Sequence, residues 1–327
     1  MKRTRTRLLR VWPALLAGLL NLAAEAHPDA LTLPPDLEDP VVALGEPAPG
    51  KLVRQTLPAY AGTEVAHTLY LPSDWSQGQR YPVLIEYRGN RSRVCDVGGM
   101  GYAISGGKGF IWAVLPFIST DGQRDMELWW GDVAATVAYA KAVVPQICQR
   151  WGGDPAQVVL IGHSRGAIAC NYIGLHDAAI AQLWRAMIPF SHYDDGHAAW
   201  GMTPEEQRRA PERLRRLGST PQFICGEHTT NPHRGSDATL REAIRAQSLT
   251  TFAAAQAALG LVPLTEVEGT RKFLAQHHPA GRFTLVDFPN VNHAASVLLR
   301  DTAERRQLRQ WLQHVLPNPP GSARQSP

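Results

Sequence analysis

Residues 158–166 of the 327-residue chain are VVLIGHSRG, and this stretch decides the fold prediction. The apolar run 158–161 is typical of a strand buried on both faces, and a helix-permissive stretch covers 165–175. Between them lies a G-x-S-x-G motif, which exposes a serine hydroxyl above a sheet when a strand precedes it and a helix follows. Ser164 is therefore the candidate nucleophile. The backbone N–H of Arg165, at the start of the helix, is a candidate donor to an oxyanion.

Segments typical of strands and helices alternate on both sides of this motif. A capping box at Thr203 opens a charged helical insertion near 192–217, in which Pro211 is expected to kink or break the helix. The alternation predicts an α/β protein with a mostly parallel, twisted sheet and helices on both faces. The other predicted strands are 66–71, 81–87, 110–117, 186–190, 222–225 and 283–288, and the other predicted helices are 132–144, 237–259 and 301–315.

The first 26 residues are predicted to be a cleaved signal peptide. Five basic residues precede a short apolar run, and the sequence Ala-Glu-Ala at 24–26 fits a cleavage site. The alternative, a membrane anchor, is disfavoured because the apolar run is short and contains Pro13. We expect a secreted or periplasmic protein with no membrane span in the mature chain. It would comprise an extended lead-in over 27–50, one domain over 51–316 and a disordered tail over 317–327.

Charge and cysteine content exclude several classes of protein. The leader holds five of the 33 basic and one of the 29 acidic residues, so 28 of each remain and the mature chain is neutral. A neutral chain lacks the electrostatic footprint of a nucleic-acid-binding protein. The four cysteines allow one or two disulfides in an oxidising compartment, but no C-x-x-C spacing is present. We therefore expect neither a metal ion nor an organic cofactor.

A serine nucleophile needs a histidine base and an acid that orients it. His293 lies in a turn-rich loop just after the predicted strand 283–288, which makes it the candidate base. Two carboxylates are candidates for the acid: Glu227 follows the strand 222–225, and Asp194 follows the strand 186–190. We favour Glu227 narrowly. The second oxyanion donor is expected in the loop after the strand 81–87, where we assign the backbone of Arg88.

With this motif in this setting, the chain resembles the α/β-hydrolase superfamily over about residues 66–315. Residues 68–75, TLYLPSDW, and 81–87, YPVLIEY, are similar to secreted bacterial esterases related to polyhydroxybutyrate depolymerases and to feruloyl or acetyl-xylan esterases. The resemblance implies an acid near Glu227, although the family's usual Asp a few residues beyond Gly226 is absent. The His-Gly start of many esterase oxyanion loops is absent as well.

The expected function is a serine hydrolase that cleaves a carboxylic ester in a small-molecule or carbohydrate-linked substrate. A peptidase or a lipase on the same fold is an alternative, since a fold does not set the substrate. The charged insertion argues against the apolar lid of a lipase. The other alternative is a binding protein that has the fold without catalysis, which the irregular acid and oxyanion segments would allow.

Overall fold

The computed structural model describes residues 33–96, 98–195, 201–228, 266–289, 293 and 295–317. The predicted signal peptide, the predicted helix 237–259 and residues 318–327 of the predicted tail lie outside the described residues. Within the described part, the strands are β1 (Val42–Ala43), β2 (Leu52–Gln55), β3 (His67–Tyr70), β4 (Tyr81–Tyr87), β5 (Ile111–Val114), β6 (Gly153–His163), β7 (Ala186–Phe190), β8 (Gln222–His228) and β9 (Phe283–Pro289).

Eight α-helices accompany these strands in the described residues. They are α1 (Met100–Ser105), α2 (Val133–Trp151), α3 (Arg165–Tyr172), α4 (Ala178–Ala181), α5 (Pro204–Arg208), α6 (Ala210–Arg215), α7 (Glu266–His277) and α8 (Ala303–Val315). Short 3-10 helices cover Pro58–Tyr60 and Ala295–Leu299.

The strands form one sheet in the order β1-β2-β3-β5-β4-β6-β7-β8-β9. From β5 to β9 every neighbouring pair is parallel, and β3 runs antiparallel to both of its neighbours. Parallel neighbours need crossover connections, which the intervening helices supply. The predicted mostly parallel sheet is confirmed.

Two hydrophobic cores lie on opposite faces of this sheet. In β4, Val83 and Ile85 belong to the core that contains α2, α3 and α7, whereas Leu84 belongs to the core that contains α1 and α8. This division follows from the strand geometry, because successive side chains point to opposite faces. Helices therefore cover both faces, as predicted. The arrangement brings the carboxyl ends of six parallel strands to one edge of the sheet.

Several element boundaries differ from the sequence-based expectation. The helix predicted to end at 144 continues through Pro145 to Trp151, because buried residues of its last turns pack in the core, and it ends at Gly152 with φ +77°. The strand predicted over 158–161 extends to Gly153–His163, since β4 and β7 both pair with it. The insertion is two helices, α5 and α6, with Pro211 in the first turn of the second.

The lead-in is attached to the domain. β1 pairs with β2, so the sheet begins before the expected boundary at residue 51. Farther upstream, Asp36 forms two hydrogen bonds with Arg305 of α8, at 2.5 and 2.8 Å, and the N–H groups of Asp36 and Leu37 donate to the carbonyl of Leu299. Residues 36 and 37 therefore contact the end of the 3-10 helix that follows His293.

The sequence allows one or two disulfides but does not require them. All four cysteines lie in the described part of the chain, and no disulfide joins them; Cys148, Cys170 and Cys225 are buried and Cys95 is exposed. In the described residues, no helix has the length and apolar content needed to cross a bilayer.

Candidate active site

Ser164 occupies the turn between β6 and α3 and has a strained backbone, with φ +57° and ψ −121°. The glycines of the motif make this turn possible. A Cβ at Gly162 would overlap the carbonyl of Gly166, and a Cβ at Gly166 would overlap the carbonyl oxygen of Tyr87 in β4. Only glycine fits at either position, so close packing of the backbone in this turn requires both glycines of the motif.

His293 is placed against the nucleophile. Its Nε2 lies 2.9 Å from Ser164 Oγ, although the two residues are 129 positions apart in the chain. With the ring proton on Nδ1, the serine hydroxyl donates to Nε2, which is the arrangement a general base requires. The rings of His163 and His192 also contact His293, at centroid distances of 4.7 and 4.9 Å. The contacts of His163 and His192 with His293 were not predicted from the sequence, which has no pattern that indicates them.

The two candidate acids differ in their surroundings. Both carboxylate oxygens of Asp194 accept hydrogen bonds from Arg213, at 2.7 and 2.8 Å. The pair is buried, since only 2% of the Asp194 side chain and 7% of the Arg213 side chain are exposed. Burial raises the pKa of Asp194, and the Arg213 guanidinium acts against that rise. Glu227 lies near the carboxyl end of β8, paired in register with Phe288 of β9, and its side chain is outside the described part of the structure. The pairing of Asp194 with Arg213 was not foreseen from the sequence.

The candidate oxyanion donors lie on two sides of Ser164. Arg165 is the first residue of α3, and nothing among the described residues accepts a hydrogen bond from its N–H. Arg88 follows β4, and its side chain is buried. Gly89 lies close to the nucleophile, since a Cβ built there would be 3.2 Å from Ser164 Cβ. The loop after β4 therefore lies directly beside the reacting hydroxyl.

Backbone strain is concentrated in the loops at this edge. In the described part of the chain, five residues other than glycine have positive φ: Arg91, Trp129, Ser164, Ser191 and His293. They follow β4, β5, β6, β7 and β9, so each lies on a loop beyond the carboxyl end of a parallel strand. Strained residues of this kind persist only where the surrounding structure holds them, and they cluster at functional sites.

The strand order and the strained serine turn at the end of β6 together identify the fold. The chain has the α/β-hydrolase fold. Arg165, the residue after Ser164, and the loop after β4 occupy the two positions from which proteins of this fold donate N–H groups to an oxyanion. The expected resemblance in fold is thus confirmed.

No protein-family model matches the chain, and no curated protein matches it. Similar solved structures include a thermostable esterase, with 14% identity and a TM-score of 0.48, over 80% of this chain and 62% of that one. The AtxE2 isopeptidase bound to Astexin3-dC4 has 17% identity and a TM-score of 0.46, over 81% of this chain and 40% of that one. A feruloyl esterase module from Clostridium thermocellum, complexed with sinapinate, has 13% identity and a TM-score of 0.46, over 84% of this chain and 94% of that one. The chain thus spans less than two thirds of the length of the first two.

The guanidinium of Arg165 is buried and donates to backbone carbonyls of the neighbouring loops. Burial lowers the pKa of Arg165 to about 10, and the charge of Asp125 acts against this change.

Among the residues that the structure describes, no group of three or more His, Cys, Asp or Glu side chains is placed to hold a metal ion. The side chains gathered around Ser164 instead suit acyl transfer, which needs a nucleophile, a base and hydrogen-bond donors.

Proposed function

We propose that this protein is a serine hydrolase that cleaves carboxylic esters through a covalent acyl-enzyme. The observation that carries the proposal is the 2.9 Å contact between His293 Nε2 and Ser164 Oγ, with Ser164 held in the strained turn of an α/β-hydrolase fold. A serine hydroxyl is a weak nucleophile until an adjacent base accepts its proton, and the contact supports His293 in that role.

In the first half of the reaction, Ser164 Oγ attacks the ester carbonyl carbon while its proton passes to His293 Nε2. The negative charge that develops on the carbonyl oxygen is stabilised by the Arg165 N–H and by a donor in the loop after β4, for which Arg88 was the sequence-based candidate. The C–O bond to the leaving group then breaks, and His293 gives its proton to the departing alcohol. A water molecule repeats these steps on the acyl-enzyme and releases the carboxylic acid.

We assign the acid that orients His293 to Glu227 rather than Asp194. Asp194 already directs both oxygens to Arg213, and a buried pair of this kind is costly to break. Glu227 lies near the end of β8, the strand that pairs with β9, and His293 follows β9 in the chain.

The substrate class is proposed as an ester of a small molecule or of a carbohydrate, with the protein secreted or periplasmic. The export proposal rests on the N-terminal signal pattern of residues 1–26. N-terminal sequencing of the protein recovered outside the cytoplasm tests it: a first residue near His27 supports cleavage, whereas an intact leader on a cytoplasmic protein contradicts it.

The proposed activity is tested by fluorophosphonate labelling of the purified protein, with the modified peptide identified by mass spectrometry. We expect modification of Ser164 and turnover of acyl, aryl or carbohydrate esters. Ser164→Ala is expected to abolish labelling and to lower kcat by about a million-fold, with an unchanged unfolding transition. A folded protein that resists the probe and hydrolyses none of these esters would instead be a binding protein with this fold.

A further inference from the structure

The guanidinium of Arg165 has an unusual environment for a charged group. It is 1% exposed and packs 4.0 Å from the centroid of the Phe117 ring. A guanidinium has five N–H groups in a fixed fork, and here each N–H has a backbone carbonyl acceptor. Nε donates to Arg88 at 3.4 Å, Nη1 to Met126 at 3.0 Å and Trp129 at 2.6 Å, and Nη2 to Gly89 at 3.1 Å and Ser92 at 3.4 Å.

These acceptors belong to two loops, one after β4 (residues 88–92) and one after β5 (residues 126–129). The loops also contact each other: the Trp129 N–H donates to Asn90 Oδ1 at 2.9 Å, and the Arg91 N–H donates to the Glu127 carbonyl at 2.7 Å. Each loop contains one residue with positive φ, Arg91 or Trp129, which requires external support. The Arg165 side chain supplies that support through its hydrogen bonds to carbonyls of both loops.

The contacts to Arg88 and Gly89 determine how two peptide groups are oriented. In a planar trans peptide, the C=O and the N–H point in opposite directions. Carbonyls of Arg88 and Gly89 that are held on the guanidinium therefore direct the N–H groups of Gly89 and Asn90 away from it. Gly89 is also the residue that lies beside Ser164. The peptide groups that carry the N–H of Gly89 and of Asn90 are thus held through their carbonyl oxygens, which makes these two N–H groups, rather than that of Arg88, the donors that Arg165 can position.

We propose that the Arg165 side chain is a positioning residue that clamps the two loops and thereby presents N–H groups of the loop after β4 to the oxyanion. This role is separate from that of its backbone N–H, and it rests on the proposed esterase function. Hydrogen bonds from a charged donor are about twice as strong as neutral ones, which suits a clamp that must hold strained loops. The clamp would act on the transition state, because the oxyanion forms only there.

The test compares wild type with Arg165→Lys and Arg165→Met, using kcat and KM for an ester that the wild type hydrolyses. Active enzyme is counted by the final extent of fluorophosphonate labelling, so loss of folded protein does not lower the apparent kcat. We expect Arg165→Met to lower kcat about 100-fold, the order expected for loss of one oxyanion donor, with KM changed less than threefold. Arg165→Lys has one point charge and three donors, so it should recover part of this loss.

Arg309→Met is the matched control. Arg309 is a partly buried arginine of α8 whose guanidinium also donates to backbone carbonyls, those of Ala103 and Ile104 in α1, away from Ser164. This substitution should lower stability without changing kcat per active enzyme. Hydrogen exchange should become faster in peptides that cover 88–92 and 126–129 in the Arg165 variants but not in the control.

The clamp is overturned if both Arg165 variants keep the wild-type kcat per labelled enzyme, whatever their stability. Should Arg165→Met fail to fold, the lysine variant decides alone: a wild-type kcat contradicts the clamp, and a reduced kcat with unchanged KM supports it. A wild-type protein that neither hydrolyses esters nor reacts with fluorophosphonate overturns the proposed function, and the clamp with it. An active wild type with unimpaired Arg165 variants overturns the clamp alone.

Discussion

Ser164 acquires its backbone conformation from the two glycines that flank it. Gly162 lets β6 pass beneath the start of α3, and Gly166 lets α3 pack directly on the carbonyl of Tyr87. A non-glycine residue with positive φ is costly by itself, of order 1–3 kcal/mol, so the turn depends on close packing around it. The position of the serine thus depends on the absence of a side chain at Gly162 and at Gly166.

This packing predicts a large effect of a single methyl group. Gly166→Ala should lower the free energy of unfolding by about 3 kcal/mol or more, because the added Cβ would overlap backbone that cannot move without disturbing β4. Urea-induced unfolding measures the change. Gly269→Ala in α7 is the control, since nothing lies within 4 Å of its Cβ position, and alanine there should stabilise by up to about 1 kcal/mol. Equal stability of Gly166→Ala and wild type would contradict the packing argument.

At the scale of elements, an ion pair joins the charged insertion to the loop that follows β7. Arg213 of α6 binds Asp194 in the loop after β7, and its Nη1 also donates to the carbonyl of Glu206 in α5. The Tyr172 hydroxyl of α3 donates to the Glu206 carboxylate at 2.5 Å. These bonds attach α5 and α6 to α3, the helix that follows the nucleophile. Asp194 is therefore buried and charged because it anchors Arg213, which is a structural role.

The two candidate acids should therefore respond differently to removal of their charge. Asp194→Asn leaves Arg213 buried without its partner and should lower the free energy of unfolding by about 3–5 kcal/mol, with little change in kcat per active enzyme. Glu227→Gln should lower kcat about ten-thousand-fold, since the imidazole would lose its orienting charge, with little change in stability. Paired measurements of ester turnover and of urea-induced unfolding separate these effects. The reverse pattern would assign the acid to Asp194.

Local patterns predicted some elements well. The strands predicted over 81–87 and 186–190 match β4 and β7, because each is a compact apolar run bounded by polar residues or turns. The capping box at Thr203 is present, with Oγ1 accepting from the Glu206 N–H at 3.3 Å. In contrast, β1 and β2 were not predicted, because two- and four-residue strands carry too little periodicity and form by pairing with distant strands.

At the scale of the whole molecule, the free energy of unfolding should depend on pH because a buried histidine, His67, titrates differently in the folded and unfolded chain. His67 of β3 is buried and lies 2.8 Å from the Tyr139 hydroxyl of α2, between the sheet and one of its covering helices. Burial lowers the pKa of His67 from 6.5 to about 4. Between these values the unfolded chain binds more protons than the folded one, so the stability present above pH 6.5 is lost as the pH falls towards 4.

His67→Gln should reduce this loss, because glutamine can bond to Tyr139 but does not titrate. Between pH 7 and pH 5, the free energy of unfolding of wild type should fall by about 2 kcal/mol more than that of the variant. Asp125→Asn is a comparison of opposite sign: burial raises the pKa of Asp125 to about 6, so protonation of Asp125 stabilises the fold as the pH falls. The free energy of unfolding of Asp125→Asn should therefore fall more steeply than that of wild type as the pH decreases from 7 to 5. Parallel pH dependence of wild type and His67→Gln would contradict the assignment.

The sequence by itself determined the fold class, the nucleophile turn and the chain order of the candidate residues. These features depend on apolar periodicity, turn chemistry and glycine spacing, which act over a few neighbouring residues. Only the tertiary structure decided that His293 meets Ser164 across 129 residues, that Asp194 pairs with Arg213, and that the Arg165 side chain bonds to two loops that both lie at least 36 residues earlier in the chain. The physical reason is that a buried polar group must find a partner within hydrogen-bond distance, and that partner is chosen by packing between distant segments rather than by local sequence.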